Sequence, residues 1–187
     1  MKSAILFGRS NFITQIHDLS CLTGPTLVGV NSCPIALDHL FFYDCPNPQP
    51  NGILHGPLHR PIGHERYKPQ GSDRPIIRKY TRDGIEILGF KCFTTSLALG
   101  WLINRSYERV WLIGVDHDSD WTHCDGHVST PPSQEAHDQF KAYVAACARH
   151  MAIYQTNPAV KDAWPIPFMR LDQVYAEIEK SQNKGHA

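Results

Sequence analysis

The sequence has no excess of charge of either sign: 18 lysines and arginines balance 18 aspartates and glutamates across 187 residues. Without a basic field over the whole surface, dedicated nucleic-acid binding is disfavoured. A local strip of Arg60, Arg66, Lys68, Arg74, Arg78, Lys79 and Arg82 is the exception. Long apolar runs are also missing. The longest, LALGWLI at 97–103, is about a third of a membrane span, so no span is expected. The start, MKSAILFGRSNF, is no signal peptide, because its apolar run is short and Arg9 follows within a turn. The six cysteines therefore read as reduced thiols, with Cys33 and Cys45 in or beside apolar segments, and the compartment as cytoplasm. There is no internal repeat, no low-complexity tract, no Walker A motif and no full dinucleotide fingerprint.

What is present is enough for one domain with a full hydrophobic core. We expect it over 1–175, with a loop or lid at 45–75 and a helix end and frayed tail at 176–187. SAILF (3–7), TLVGV (26–30) and HLFFYD (39–44) read as buried strands, and FITQIHDLSCL (12–22) has helical spacing. Residues 45–75 hold much of the proline and glycine and show no period, and 76–89 suits a short edge hairpin turning at Asp83-Gly84. CFTTSLALGWLINRSY (92–107) is an apolar helix opening on good capping residues. ERVWLIGVD (108–116) is a strand ending on an acid, and 133–153 is a helix capped by Ser133. Segment 165–169 suits a last strand, followed by a terminal helix at LDQVYAEIEK. Alternating strands and helices predict an α/β fold: a mainly parallel, Rossmann-like open sheet with helices on both faces.

Polar residues gather at the strand ends, where ligands collect in open α/β sheets. Gly8-Arg9-Ser10 follows the first strand; its backbone N–H groups face an anion, or it is an ordinary tight turn. Asn31-Ser32 and Asp44 end the next two strands and suit a ribose or base, or plain turn chemistry. GVDHDSDWTHCDGH (114–127) packs Asp116, Asp118, Asp120 and Asp125 with His117, His123 and His127. No zinc spacing fits, and the calcium-loop pattern lacks its closing glutamate. A structural metal, a histidine tuned by a carboxylate, and a solvated loop are the readings left open.

Taken in order, FGRSN (7–11), VGVNSCP (28–34), FFYD (41–44), FTTSLALG (93–100), WLIGVDH (111–117), DGHV (125–128) and IYQTNP (153–158) resemble bacterial sialyltransferases that use CMP-sialic acid. They also resemble the related motility-accessory and pterin pyrophosphokinase-like proteins, including small phage-encoded ones. The resemblance implies that Gly8 and Ser10 line the nucleotide phosphates, with Arg9 beside them where the family has a small residue. Asn31 and Ser32 would hold the ribose or base, with Asp44 where the family places an asparagine. Thr95 and Ser96 would open the helix facing the donor, and Tyr154 and Asn157 would contact phosphate. Asp116 would sit beside the sugar, and His127 would be the general base. Sialic acid itself is not implied.

The function so implied is transfer of a sugar from a nucleotide-activated donor to an acceptor hydroxyl that the sequence does not identify. No cofactor is required and no metal ligand is assigned. A rival reading places magnesium on Asp116 and Asp118 for pyrophosphate or nucleotide transfer. Another is a nucleotide-binding protein without catalysis. Oligomeric state is left open.

Overall fold

The computed structural model describes residues 1–8, 10–16, 22–30, 38–42, 60–63, 94–116 and 133–183. Among these, six strands form one sheet: β1 (Ser3–Phe7), β2 (Thr26–Val30), β3 (His39–Phe42), β4 (Arg60–Gly63), β5 (Arg109–Ile113) and β6 (Ala152–Gln155). Their order is β4-β3-β2-β1-β5-β6, and every neighbouring pair is parallel. Phe7 lies beside Gly29 on one side and Ile113 on the other, so β1 is an interior strand.

Alternation along the strands divides the core in two. Ala4, Leu6, Val28, Val110, Leu112 and Ile153 face one way, into a cluster with helices α1 (Thr94–Asn104) and α2 (Gln134–Cys147). Ile5, Phe7, Trp111 and Ile113 face the other way, against Phe12, Ile13 and helix α3 (Leu171–Asn183). Both faces are covered, and that is why SAILF and RVWLI are unbroken apolar runs instead of alternating ones. Ile5, Leu6 and Phe7 are completely buried, each worth about 1.5–3 kcal/mol against exposure. Val174 and Ile178 of α3 are equally buried, so the terminal helix is part of the second core. No helix among the described residues is long and apolar enough to cross a membrane.

Helix α1 buries Ala98, Leu99, Trp101 and Leu102, as an all-round apolar helix must. It ends with Ser106 at φ +58°, where Ser106 N donates to Ile103 O (2.9 Å) and Tyr107 N donates to Leu102 O (3.0 Å). This is a Schellman close with serine in the position that glycine usually takes. Ser133 caps α2 by accepting from Ala136 N at 3.2 Å, and Glu135 stands in its positive first turn. Further along, Cys147 is buried in the core, and burial pushes its thiol up to about 12, against a smaller lowering by the hydrogen bond to Tyr143. It is a neutral core side chain.

Four expectations need correction. The helix expected over 12–22 is a single 3₁₀ turn at Asn11–Gln15, and Ile16 is already extended; residues 17–21 lie outside the described set. The helix expected to run to 153 stops at Cys147, and Ala152–Gln155 is strand β6 on the edge of β5. Met151 and Ile153 fit a helical spacing, but pairing with β5 overrides it. Within the expected loop at 45–75, Arg60–Gly63 is edge strand β4. Pro61 disguised it, yet an edge is where a sheet tolerates proline. The expected last strand at 165–169 is one parallel bridge, Gln155 to Phe168. The hairpin expected at 76–89 lies outside the described residues.

Ser106→Gly should stabilise the fold by about 0.5–1 kcal/mol, because a left-handed L-residue costs roughly 1–2 kcal/mol and glycine loses part of that gain to chain entropy. Urea unfolding checks it; a loss of stability would mean that Ser106 contributes more through its side chain than its backbone costs.

Candidate functional site

Strand order reverses between β1 and β5, the switch point where parallel sheets of this kind open a crevice at their carboxyl ends. The two chains leave that edge in close contact. Gly8 N donates to Ile113 O at 2.8 Å, and Ser10 N donates to Gly114 O at 3.2 Å. A Cβ on residue 8 would lie 1.9 Å from Gly114 O, so only glycine fits there. Gly114 itself turns at φ +68°, again a glycine conformation.

This contact delivers Ser10 to Asp116. Ser10 Oγ donates to Asp116 Oδ2 at 2.8 Å and accepts from Phe12 N at 3.2 Å. From the end of β6, Asn157 Nδ2 donates to the same carboxylate oxygen, while its Oδ1 accepts from Ala159 N at 2.9 Å. Asp116 is 6 % exposed. A carboxylate so buried needs such donors, because an unpaired one would cost several kcal/mol.

A second polar layer lies beneath. Gln155, wholly buried, donates from Nε2 to Val115 O at 2.8 Å and accepts at Oε1 from Thr156 N (2.9 Å) and Asn157 N (3.2 Å). Thr156 Oγ1 donates to Leu112 O at 2.6 Å. Neither residue was singled out in the sequence. The available signal was two polar residues directly following the apolar Ile153 and Tyr154, where a strand leaves the core.

The structure thus brings Gly8, Ser10, Asp116 and Asn157 together. The amides of Gly8 and Ser10 already donate to β5 and the turn after it, so these two N–H groups do not face an anion. Thr95 and Ser96 lie in the first turn of α1, 3 % and 1 % exposed. The last turn of α1 is tied to the start of β1 through Lys2 Nζ and Arg105 O (2.9 Å), so its first turn points to the carboxyl edge. Ser96 O accepts from Tyr143 OH at 3.0 Å, and among the described residues Ser96 Oγ has no hydrogen-bond partner. Tyr154 instead packs into the second core, with the Arg109 guanidinium 5.9 Å from its ring centroid. Arg9, Asn31, Ser32, Asp44 and His127 lie outside the described residues. β2 and β5 both run parallel to β1, so their carboxyl ends share one edge. Among the described residues no group of three His, Cys, Asp or Glu could hold a metal ion. A groove of about 370 Å³ between Lys141, Ala145 and Trp164 contains none of the expected site residues.

No protein-family model and no curated protein sequence matches the chain. Among solved structures it is similar to the sialyltransferase CstII from Campylobacter jejuni, in complex with the substrate analogue CMP-3FNeuAc. The TM-score is 0.59 at 11 % identity, over 92 % of this chain and 88 % of that one. The chain therefore shares its Rossmann-type α/β fold with that structure.

Asn157→Ala should lower stability by about 1–3 kcal/mol, by leaving a buried carboxylate one donor short. Asn157→Asp should cost more at neutral pH, since it sets a second buried carboxylate against the first. Chemical unfolding of both variants checks this; equal costs would show that Asp116 does not depend on the Asn157 amide.

Proposed function

We propose that the chain binds a nucleotide-activated sugar at the carboxyl ends of β1, β5 and β6 and transfers the sugar to an acceptor hydroxyl. The observation that carries this reading is the convergence of Gly8, Ser10, Asp116 and Asn157 on the switch point. These residues come from three distant parts of the chain, and each belongs to a motif of the sialyltransferase resemblance. The fold likeness to CstII, solved with a CMP-sugar analogue, supports the same ligand class.

In this reading His127 takes the proton from the acceptor hydroxyl as its oxygen attacks the anomeric carbon. The bond from that carbon to the phosphate oxygen breaks, and the nucleotide leaves with the electron pair. Asp116, held by Ser10 and Asn157, faces the sugar and gives it one orientation. Thr95 and Ser96, in the first turn of α1, suit the nucleotide side of the donor. No metal is required by this scheme.

A thermal-shift screen of CMP-, UDP-, GDP- and dTDP-sugars, with and without magnesium, identifies the donor. With that donor, His127→Ala should slow nucleotide release by about a hundredfold or more while leaving nucleotide affinity nearly unchanged. His123→Ala, in the same stretch, should do far less. Full turnover in His127→Ala would remove the general-base role, and absence of binding by every nucleotide sugar would remove the reading itself.

A further inference from the structure

Gln155 is a costly residue for its position. It ends β6 with no exposure, directly after Ile153 and Tyr154, which pack into the two core clusters. A buried side-chain amide costs free energy unless its hydrogen bonds are made. Here they are made to backbone that carries the site. Nε2 holds Val115 O, one residue before Asp116, and Oε1 holds the amides of Thr156 and Asn157. Its own backbone grips the returning chain, with Gln155 N donating to Pro167 O (3.0 Å) and Met169 N donating to Gln155 O (2.9 Å).

We infer that Gln155 is a positioning residue, which fixes the Asp116 carboxylate against the Asn157 amide and thereby sets ligand affinity without touching the ligand. The inference rests on the reading that Asp116 faces a bound donor. The chemistry is specific to glutamine. One end must donate to a carbonyl and the other must accept from two amides, across the gap between the ends of β5 and β6. A glutamate would lose the donor, a methionine would lose all three bonds, and an asparagine is one methylene short of spanning both sides.

The alternative is that Gln155 only stabilises the fold, and the test separates the two. Gln155→Met and Gln155→Asn are compared with Ile178→Ala, which removes core packing on the far face of the sheet. Two readouts are taken on the folded proteins: the Asn157 side-chain amide resonance by nitrogen-15 NMR, and CMP affinity by calorimetry. Both Gln155 variants should move the Asn157 amide resonance and weaken CMP binding by about tenfold, the scale of one net hydrogen bond. Ile178→Ala should lower the unfolding midpoint and move neither. If the Gln155 variants keep the Asn157 resonance and the CMP affinity, the inference is wrong. Should Gln155→Met fail to fold, Gln155→Asn carries the same comparison. If the unaltered protein binds no CMP, the donor reading is at fault, and the Asn157 resonance still decides the positioning role.

Discussion

The carboxyl ends of β1 and β5 lie so close that the Gly114 carbonyl stands 1.9 Å from where a Cβ on Gly8 would be. The Ser10 side of the candidate site follows from that approach. It lets Gly8 N and Ser10 N close onto Ile113 O and Gly114 O, and so turns the Ser10 hydroxyl toward Asp116. A side chain at position 8 would push the strand ends apart and lose the bond between Ser10 and Asp116 with them. In many nucleotide-binding folds a glycine turn leaves amides free for phosphate. Here the same kind of turn uses its amides internally and presents a buried carboxylate instead.

A buried carboxylate is expensive, and the surrounding architecture offsets the expense with oriented dipoles. Ser10 comes from the β1 turn and Asn157 from the end of β6, while Gln155 and Thr156 tie the ends of β5 and β6 together. Because parallel strands deliver their ends to one edge, residues more than a hundred positions apart can share one oxygen atom. Helices α1 and α2 on one face and α3 on the other keep those ends fixed. Such preorganisation suits a group that must hold a substrate in one orientation.

Most of the sheet was legible because strands buried on both faces announce themselves as unbroken apolar runs, as SAILF and RVWLI do. Strands β4 and β6 were not. Arg60–Gly63 contains a proline that only an edge position permits, and Ala152–Gln155 follows a helix whose spacing its apolar residues continue. In both cases pairing with a neighbouring strand, which no local pattern encodes, decided the outcome. Ser10 and Asp116 were legible as polar residues at strand ends, and Asn157 only through the sialyltransferase resemblance. That they meet on one carboxylate oxygen was not, since the order of strands in the sheet decides it. Gln155 was invisible for a further reason: a buried glutamine looks like any solvent-facing one until its partners are known.

In the proposed function a nucleotide-bearing ligand sits on the edge where Asp116 is held. Backbone amide NMR during titration with CMP tests it most directly. Saturable shifts centred on Gly8, Ser10, Asp116 and Asn157 are expected, with Val174 and Ile178 of α3 unmoved. Shifts confined to α3, or none at millimolar CMP, would contradict it.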